Sequence, residues 1–298
     1  MDLSDPSLIE RLGKSGDFLA AMVSKLLGGA AAADAQAELW DGAPIRLIDS
    51  SIFTGPGKKG VGHRLHAAYD PVLGRFTFFD LTALTDGENL TRADDEAGAI
   101  KVGDRNYART WAMLELAENG DYFCVRAGAS SARMLDPTTM TKVNSAVILA
   151  ALGDQASVEI PVVLVKAKGR NRKLLPARLV ILRASDGGQQ RELARIERSK
   201  SKQQAVPRPE TYALSKVMML ITNLPRNTWP IANVHKLYRL RWQIELAFKT
   251  LKSTFEMRRC PSKTANMARA WILANLAAAL IAERLSTAVK GGASPSDG

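Results

Sequence analysis

The sequence predicts a mixed α/β fold, and three observations carry that prediction. Short apolar runs separated by turn residues crowd residues 44–81, as antiparallel strands do. Beyond residue 99 such runs alternate with stretches of helical period. The composition, 46% hydrophobic and 24% charged over 298 residues, is that of a folded chain long enough for one large domain or two ordinary ones. Disordered and collagenous classes are excluded.

Residues 7–27 place Leu8, Leu12, Phe18, Leu19, Met22, Leu26 and Leu27 at helical spacing, and a small-residue linker follows over 28–33. Ile45–Asp49, Arg64–Tyr69 and Arg75–Leu81 read as strands, the last two joined by the Asp70–Gly74 turn. Asn89–Ala99 reads as a short helix and Ile100–Gly103 as a buried strand ending at Asp104. Tyr107–Glu118 is a helix stopped by Asn119-Gly120, and Tyr122–Arg126 is a strand. Ala146–Leu152, Glu159–Ala167 and Leu174–Ala184 read as strands of a β-rich insertion over 128–212. Val217–Thr222 is then a strand, and Ile231–Thr254 and Arg269–Lys290 are helices. The expected organisation is a short helical segment over 1–43, a core over 44–290 and a disordered tail over 291–298. Three early strands, then helix, strand, helix, strand and a late helix, follow the ribonuclease-H-like order.

The charge is uneven. Residues 1–100 hold 9 bases against 15 acids, and residues 101–298 hold 32 against 15. Such a swing points to a polyanionic partner, with nucleic acid first. Cys124 and Cys260 lack ligand spacing, which excludes a disulfide scaffold or zinc ribbon and suits a reducing cytoplasm. The longest apolar run, 270–282, is expected to be too short for a bilayer, and the first twenty residues read as no secretory leader.

Asp49 and Asp104 each close a strand, where a lone Asp is most often a turn or cap residue. Together they gain meaning, because hard cations need oxygen ligands converging from separate elements. At roughly 100° per residue, Tyr238, Arg241, Glu245 and Lys252 share a stripe about 60° wide on helix 231–254. The stripe adjoins the apolar positions Leu237, Leu240, Ile244, Phe248 and Leu251. An acid flanked by cations suits a place where metal and phosphate coexist. Lys166, Lys168, Arg170, Arg172 and Lys173 put five cations into eight residues of the insertion, a run suited to tracking a nucleic-acid backbone. Trp229 and Trp242 read as core aromatics ahead of base-stacking ones, and the three histidines show no metal spacing.

The stretch LYRLRWQIELAFKTLK, with Tyr238-x-x-Arg241-x-x-x-Glu245-x6-Lys252, resembles the Tyr-Arg-Glu-Lys signature of bacterial insertion-sequence transposases of family four. LIDSS around Asp49 and VGDRNYA around Asp104 resemble the first-Asp and second-Asp segments of that family, and the likeness runs over about residues 44–285. The resemblance implies a DDE transposase with Asp49, Asp104 and Glu245 as the catalytic triad holding two Mg²⁺ or Mn²⁺ ions. It implies that Tyr238, Arg241 and Lys252 contact phosphates. The implied partner is double-stranded DNA, at transposon ends and target, with a dimer on DNA as its working form, and the implied setting is a bacterial cytoplasm without membrane. A ribonuclease-H-like nuclease without strand transfer and a non-catalytic DNA-binding relic are the alternatives. Family members carry a longer amino-terminal DNA-reading region, so a truncated copy is expected.

Overall fold

The structure, a computed structural model, describes residues 5–28, 42–56, 61–93, 97–128, 132–168, 171–203, 206–257 and 260–292. The predicted linker beyond Gly28, and the tail beyond residue 292, lie outside these. In chain order the described elements are α1 (Asp5–Lys14), α2 (Gly16–Gly28), β1 (Ile45–Thr54), β2 (Gly62–Asp70), β3 (Arg75–Ala83), β4 (Ile100–Gly103), α3 (Thr110–Glu118), β5 (Tyr122–Ala127) and β6 (Met134–Leu135). There follow α4 (Ser145–Leu152), β7 (Ser157–Lys168), β8 (Asn171–Arg183), α5 (Asp186–Gln203), α6 (Pro209–Ala213), β9 (Val217–Thr222), α7 (Ile231–Leu240), α8 (Trp242–Thr254) and α9 (Ala265–Gly292). The chain is a mixed α/β fold, and three antiparallel strands followed by the parallel β4–α3–β5 unit give the ribonuclease-H-like order.

Two compact units share the chain. The first comprises residues 1–42, 47–88 and 242–298, and the second residues 43–46 and 89–241. In the first unit β1, β2 and β3 form an antiparallel meander. The Asp70 carboxylate accepts hydrogen bonds from Val72 N (2.8 Å) and Leu73 N (3.0 Å), and Gly74 supplies the positive φ of 66° that closes the turn. Phe53, Leu65, Ile244, Phe248, Leu251, Ile272 and Leu276 are buried here, and the Phe76 and Phe248 rings lie 5.5 Å apart. Each such side chain contributes on the order of 1.5–3 kcal/mol. α1 and α2 both pack on α9, where Arg269 pairs with Asp17 at 2.9 Å and Arg284 donates to the Leu26 carbonyl.

In the second unit the strand order is β4-β5-β9-β8-β7-β6, with β4–β5 parallel and the rest antiparallel. Its core includes Ile100, Val102, Met113, Phe123, Val125, Leu179, Ile181, Leu220, Val234 and Leu237. The end of β9 is held by side chains. Thr222 Oγ1 donates to Phe123 O at 2.6 Å, Phe123 N donates to Asn223 Oδ1 at 2.8 Å, and Asn223 Nδ2 donates to Asp121 O at 3.0 Å.

Several elements differ from the sequence reading. Residues 145–152 form a helix rather than a strand, started by Asn144, whose side chain accepts from Val147 N at 3.0 Å. A seven-residue apolar run lacks the length that separates strand from helix. Among the described residues of the predicted helix 89–99, Leu90–Arg92 forms a 3-10 turn. β1 continues five residues past Asp49. Helix 231–254 divides at Arg241, whose N–H bonds to Tyr238 O rather than four residues back. The stretch Ala265–Ser286 of α9 is, by length and composition, apolar enough to cross a membrane, which corrects the expectation drawn from 270–282. The same helix buries Ala268, Ile272, Leu273, Leu276 and Leu280 in the first unit, as a core helix does.

Candidate active site

In the first unit Asp49 lies half-buried in β1, opposite Ala67 of β2, and its Oδ1 accepts from Ser50 N at 2.8 Å. Ser50 Oγ donates to Glu88 Oε1 at 2.7 Å, and Arg64 pairs with the same Glu88 oxygen at 3.1 Å. Glu245 stands half-buried in the first turn of α8, where the helix dipole favours a carboxylate. Lys252, two turns on, donates from Nζ to Ile52 O at 3.2 Å and lies 4.7 Å from the Phe53 ring centroid. Burial lowers its pKa. One contact therefore ties the last turn of α8 to β1, three residues from Asp49.

In the second unit Asp104 follows β4 and caps a 3-10 turn, Arg105–Tyr107, accepting from Asn106 N at 2.7 Å. Arg105 makes a two-pronged pair with Glu192 of α5, at 3.0 and 2.9 Å. Arg126 (3.2 Å) and Arg195 (2.7 and 3.0 Å) close on the same carboxylate. Burial pushes the Glu192 carboxyl up, yet hydrogen bonds and charge from Arg105 and Arg195 prevail and hold it at about 2. Tyr238 is only 8% exposed, with Arg241 placed 5.8 Å from its ring centroid. Burial raises the Tyr238 phenol, against the pull of Arg241 and Arg126. This unit thus gathers Tyr238, Arg241, Arg126 and Arg105 beside Asp104.

Of the basic hairpin, Lys166, Arg172 and Lys173 are exposed, and Lys173 pairs with Glu118 at 2.5 Å. Arg170 and the Lys168 side chain lie outside what the structure describes. Trp229 is buried and Trp242 is 60% exposed. Among the described residues no group of three or more His, Cys, Asp or Glu stands close enough to hold a metal ion. Asp49 and Glu245 belong to the first unit and Asp104 to the second. Their donor chemistry fits a hard cation, since all three offer carboxylate oxygens.

Glu192, Glu88 and Arg64 escaped the sequence reading. Glu192 pairs with residues 87 and 66 positions away, a separation that no local pattern signals. The one available hint was an acid set among the cations Arg191, Arg195 and Arg198 at helical spacing.

Residues 40–281 match the transposase DDE domain. Over 283 residues the chain is 31% identical to the transposase of insertion sequence element IS421 from Escherichia coli, covering 94% of this chain and 75% of that protein. It is 23% identical over 243 residues to the transposase of IS231D from Bacillus thuringiensis subsp. finitimus, covering 72% and 50%. A 91-residue stretch, 30% of this chain and 19% of the relative, is 36% identical to the transposase of IS231F from Bacillus thuringiensis subsp. israelensis.

Proposed function

Because the chain belongs to the transposase DDE domain family, we propose that it cuts DNA at the ends of an insertion sequence and joins the freed 3′-hydroxyls to target DNA, as a member of insertion-sequence family four. The partner is double-stranded DNA, bound by two copies of the chain in a bacterial cytoplasm. Asp49, Asp104 and Glu245 are the carboxylates that would hold two Mg²⁺ or Mn²⁺ ions. When bound, such ions activate the attacking oxygen and neutralise charge on the leaving oxygen.

The observation that carries this reading is the Tyr238–Arg241–Glu245–Lys252 series on α7 and α8, with Lys252 anchored on β1 near Asp49. Each residue has a distinct task. The backbone N–H groups of Ser50 and Asn106 fix the rotation of the two Asp carboxylates. Tyr238, too buried to reach far itself, holds Arg241 over its ring, and the Arg241 fork faces phosphate with two donors. Lys252 supplies a point charge, and its lowered pKa reflects a partly desolvated setting in which that charge acts more strongly on phosphate.

Glu245→Gln tests the assignment, since it keeps shape and hydrogen-bonding capacity while removing charge. Strand nicking is expected to vanish, with DNA affinity in a gel shift equal or slightly higher. Wild-type nicking is expected to stop in excess EDTA. A folded Glu245→Gln variant that nicks at the wild-type rate would remove Glu245 from the triad.

A further inference from the structure

The second unit holds a cleft of about 1110 Å³ whose lining includes seven arginines and two glutamates. Arg105, Arg126 and Arg195 are neutralised in part by Glu192, and Arg226 pairs with Glu159 at 2.5 Å. That leaves three arginines with no acid partner among the described residues. Among the described residues Arg183 donates to the Gly153 and Gln155 carbonyls, and Arg198 to Ala194 O. Arg191 has no hydrogen-bond or ion-pair partner among the described residues. All three are exposed.

A second observation is independent of charge. Ser215, 2% exposed, also lines the cleft, and its hydroxyl has no hydrogen-bond partner among the described residues. A buried hydroxyl left unpaired is costly, so a ligand oxygen arriving there would recover that loss. Guanidinium forks fit phosphate oxygens in pairs. Among the described residues no Phe, Tyr or Trp lines the cleft, and its one aromatic ring, His235, stands against seven guanidinium groups. The chemistry therefore favours the phosphodiester backbone over its bases.

The cleft is distinct from the basic hairpin tip. Ser157 and Arg183 line it at the open end of the β7–β8 hairpin, whereas Lys166 and Lys173 face each other near the closed end. About nine residues of strand, roughly 30 Å, separate the two. We infer that this cleft is a seat for DNA backbone phosphates, contacted by Arg183, Arg191, Arg198 and the Ser215 hydroxyl. The choice of DNA among phosphodiester polymers rests on the transposase reading.

The test titrates the full chain against a fluorescein-labelled DNA duplex of arbitrary sequence across a salt series. Arg191→Gln combined with Arg198→Gln should lower the slope of log K against log salt by about two, at roughly 0.9 per phosphate contact, and weaken binding tenfold or more whatever the sequence. Ser215→Ala should weaken binding several-fold without changing the slope, because it removes a neutral contact. Circular dichroism confirms folding, and the two exposed arginines leave the core untouched. Folded variants that keep wild-type affinity and slope would overturn the cleft, as would a poly-glutamate competitor displacing DNA at equal charge concentration. Nicking is scored on the same preparations. A wild-type chain that nicks while its cleft variants bind normally sinks the cleft alone. A wild-type chain that never nicks, with cleft variants that lose slope, sinks the transposase chemistry and supports the cleft.

Discussion

Glu192 concentrates more charge than any other side chain described, and its energetics can be signed. Three arginines reach one carboxylate whose side chain is 16% exposed. Its folded pKa of about 2 lies below the ordinary 4.5, so its stabilisation is present above about pH 4.5 and is lost as pH falls toward 2. At 1.36 kcal/mol per unit, the contribution is on the order of 3 kcal/mol. Glu192→Gln is therefore expected to lower the unfolding free energy at pH 7 by about 2–3 kcal/mol, since three cations lose their counter-charge. The gap between wild type and variant should shrink at pH 3, where the unfolded wild-type carboxyl is already protonated. Urea titrations at both pH values measure this, and a gap that stays constant would show that the carboxylate charge is not the source. The same residue marks the limit of reading at this scale. Asp104 and Arg105 stand out in VGDRNYA, whereas the acid that holds Arg105 arrives from a helix 87 residues away.

Among elements, the end of β4 is the most tightly built. A Cβ on Gly103 would come within 2.9 Å of Tyr107 Cβ, in the 3-10 turn that Asp104 caps, and 3.1 Å of Leu90 Cδ2. Gly103→Ala is expected to cost about 1–3 kcal/mol through overpacking. The displaced turn carries Asp104, so nicking should fall more steeply than DNA affinity. Thermal melts beside nicking and gel-shift assays check this, and nicking at the wild-type rate with unchanged stability would count against it. Elements of this kind were legible. β4 and β9 have the bounds their apolar runs predict, because a strand flanked by turn residues is a local pattern. α4 was not legible, because Ser145–Leu152 is apolar on all sides and only the Asn144 cap marks it as helical. α5 hid for the opposite reason, since its charged sequence buries Ile196 while the helix is fixed by Glu192, Tyr212–Glu197 and similar polar ties. The break at Arg241 leaves no trace in a periodicity that runs unbroken from Ile231 to Thr254.

At the scale of the whole molecule, charge and architecture do not share a boundary. The swing to basic composition begins near residue 100, whereas the chain returns to its first unit at Trp242. A unit assembled from three separate stretches cannot be seen in a one-dimensional profile, which is why the sequence suggests one continuous core over 44–290. The same assembly has a practical use through its thiols. Cys124 is buried in the second unit and Cys260 in the first, and both are free. Burial, opposed weakly by Arg178, pushes the Cys124 thiol up to about 12, so almost no thiolate is present at neutral pH. Alkylation of the native chain should therefore be slow at Cys124, and blocked by lack of access at Cys260. In graded denaturant, each cysteine should react only when its own unit opens, and mass spectrometry of the two tagged peptides reads the two events separately. Rapid modification of Cys124 in native buffer would contradict its placement. Because each half carries one silent sulfur, the order in which they become reactive gives the unfolding sequence of the chain without any engineered label.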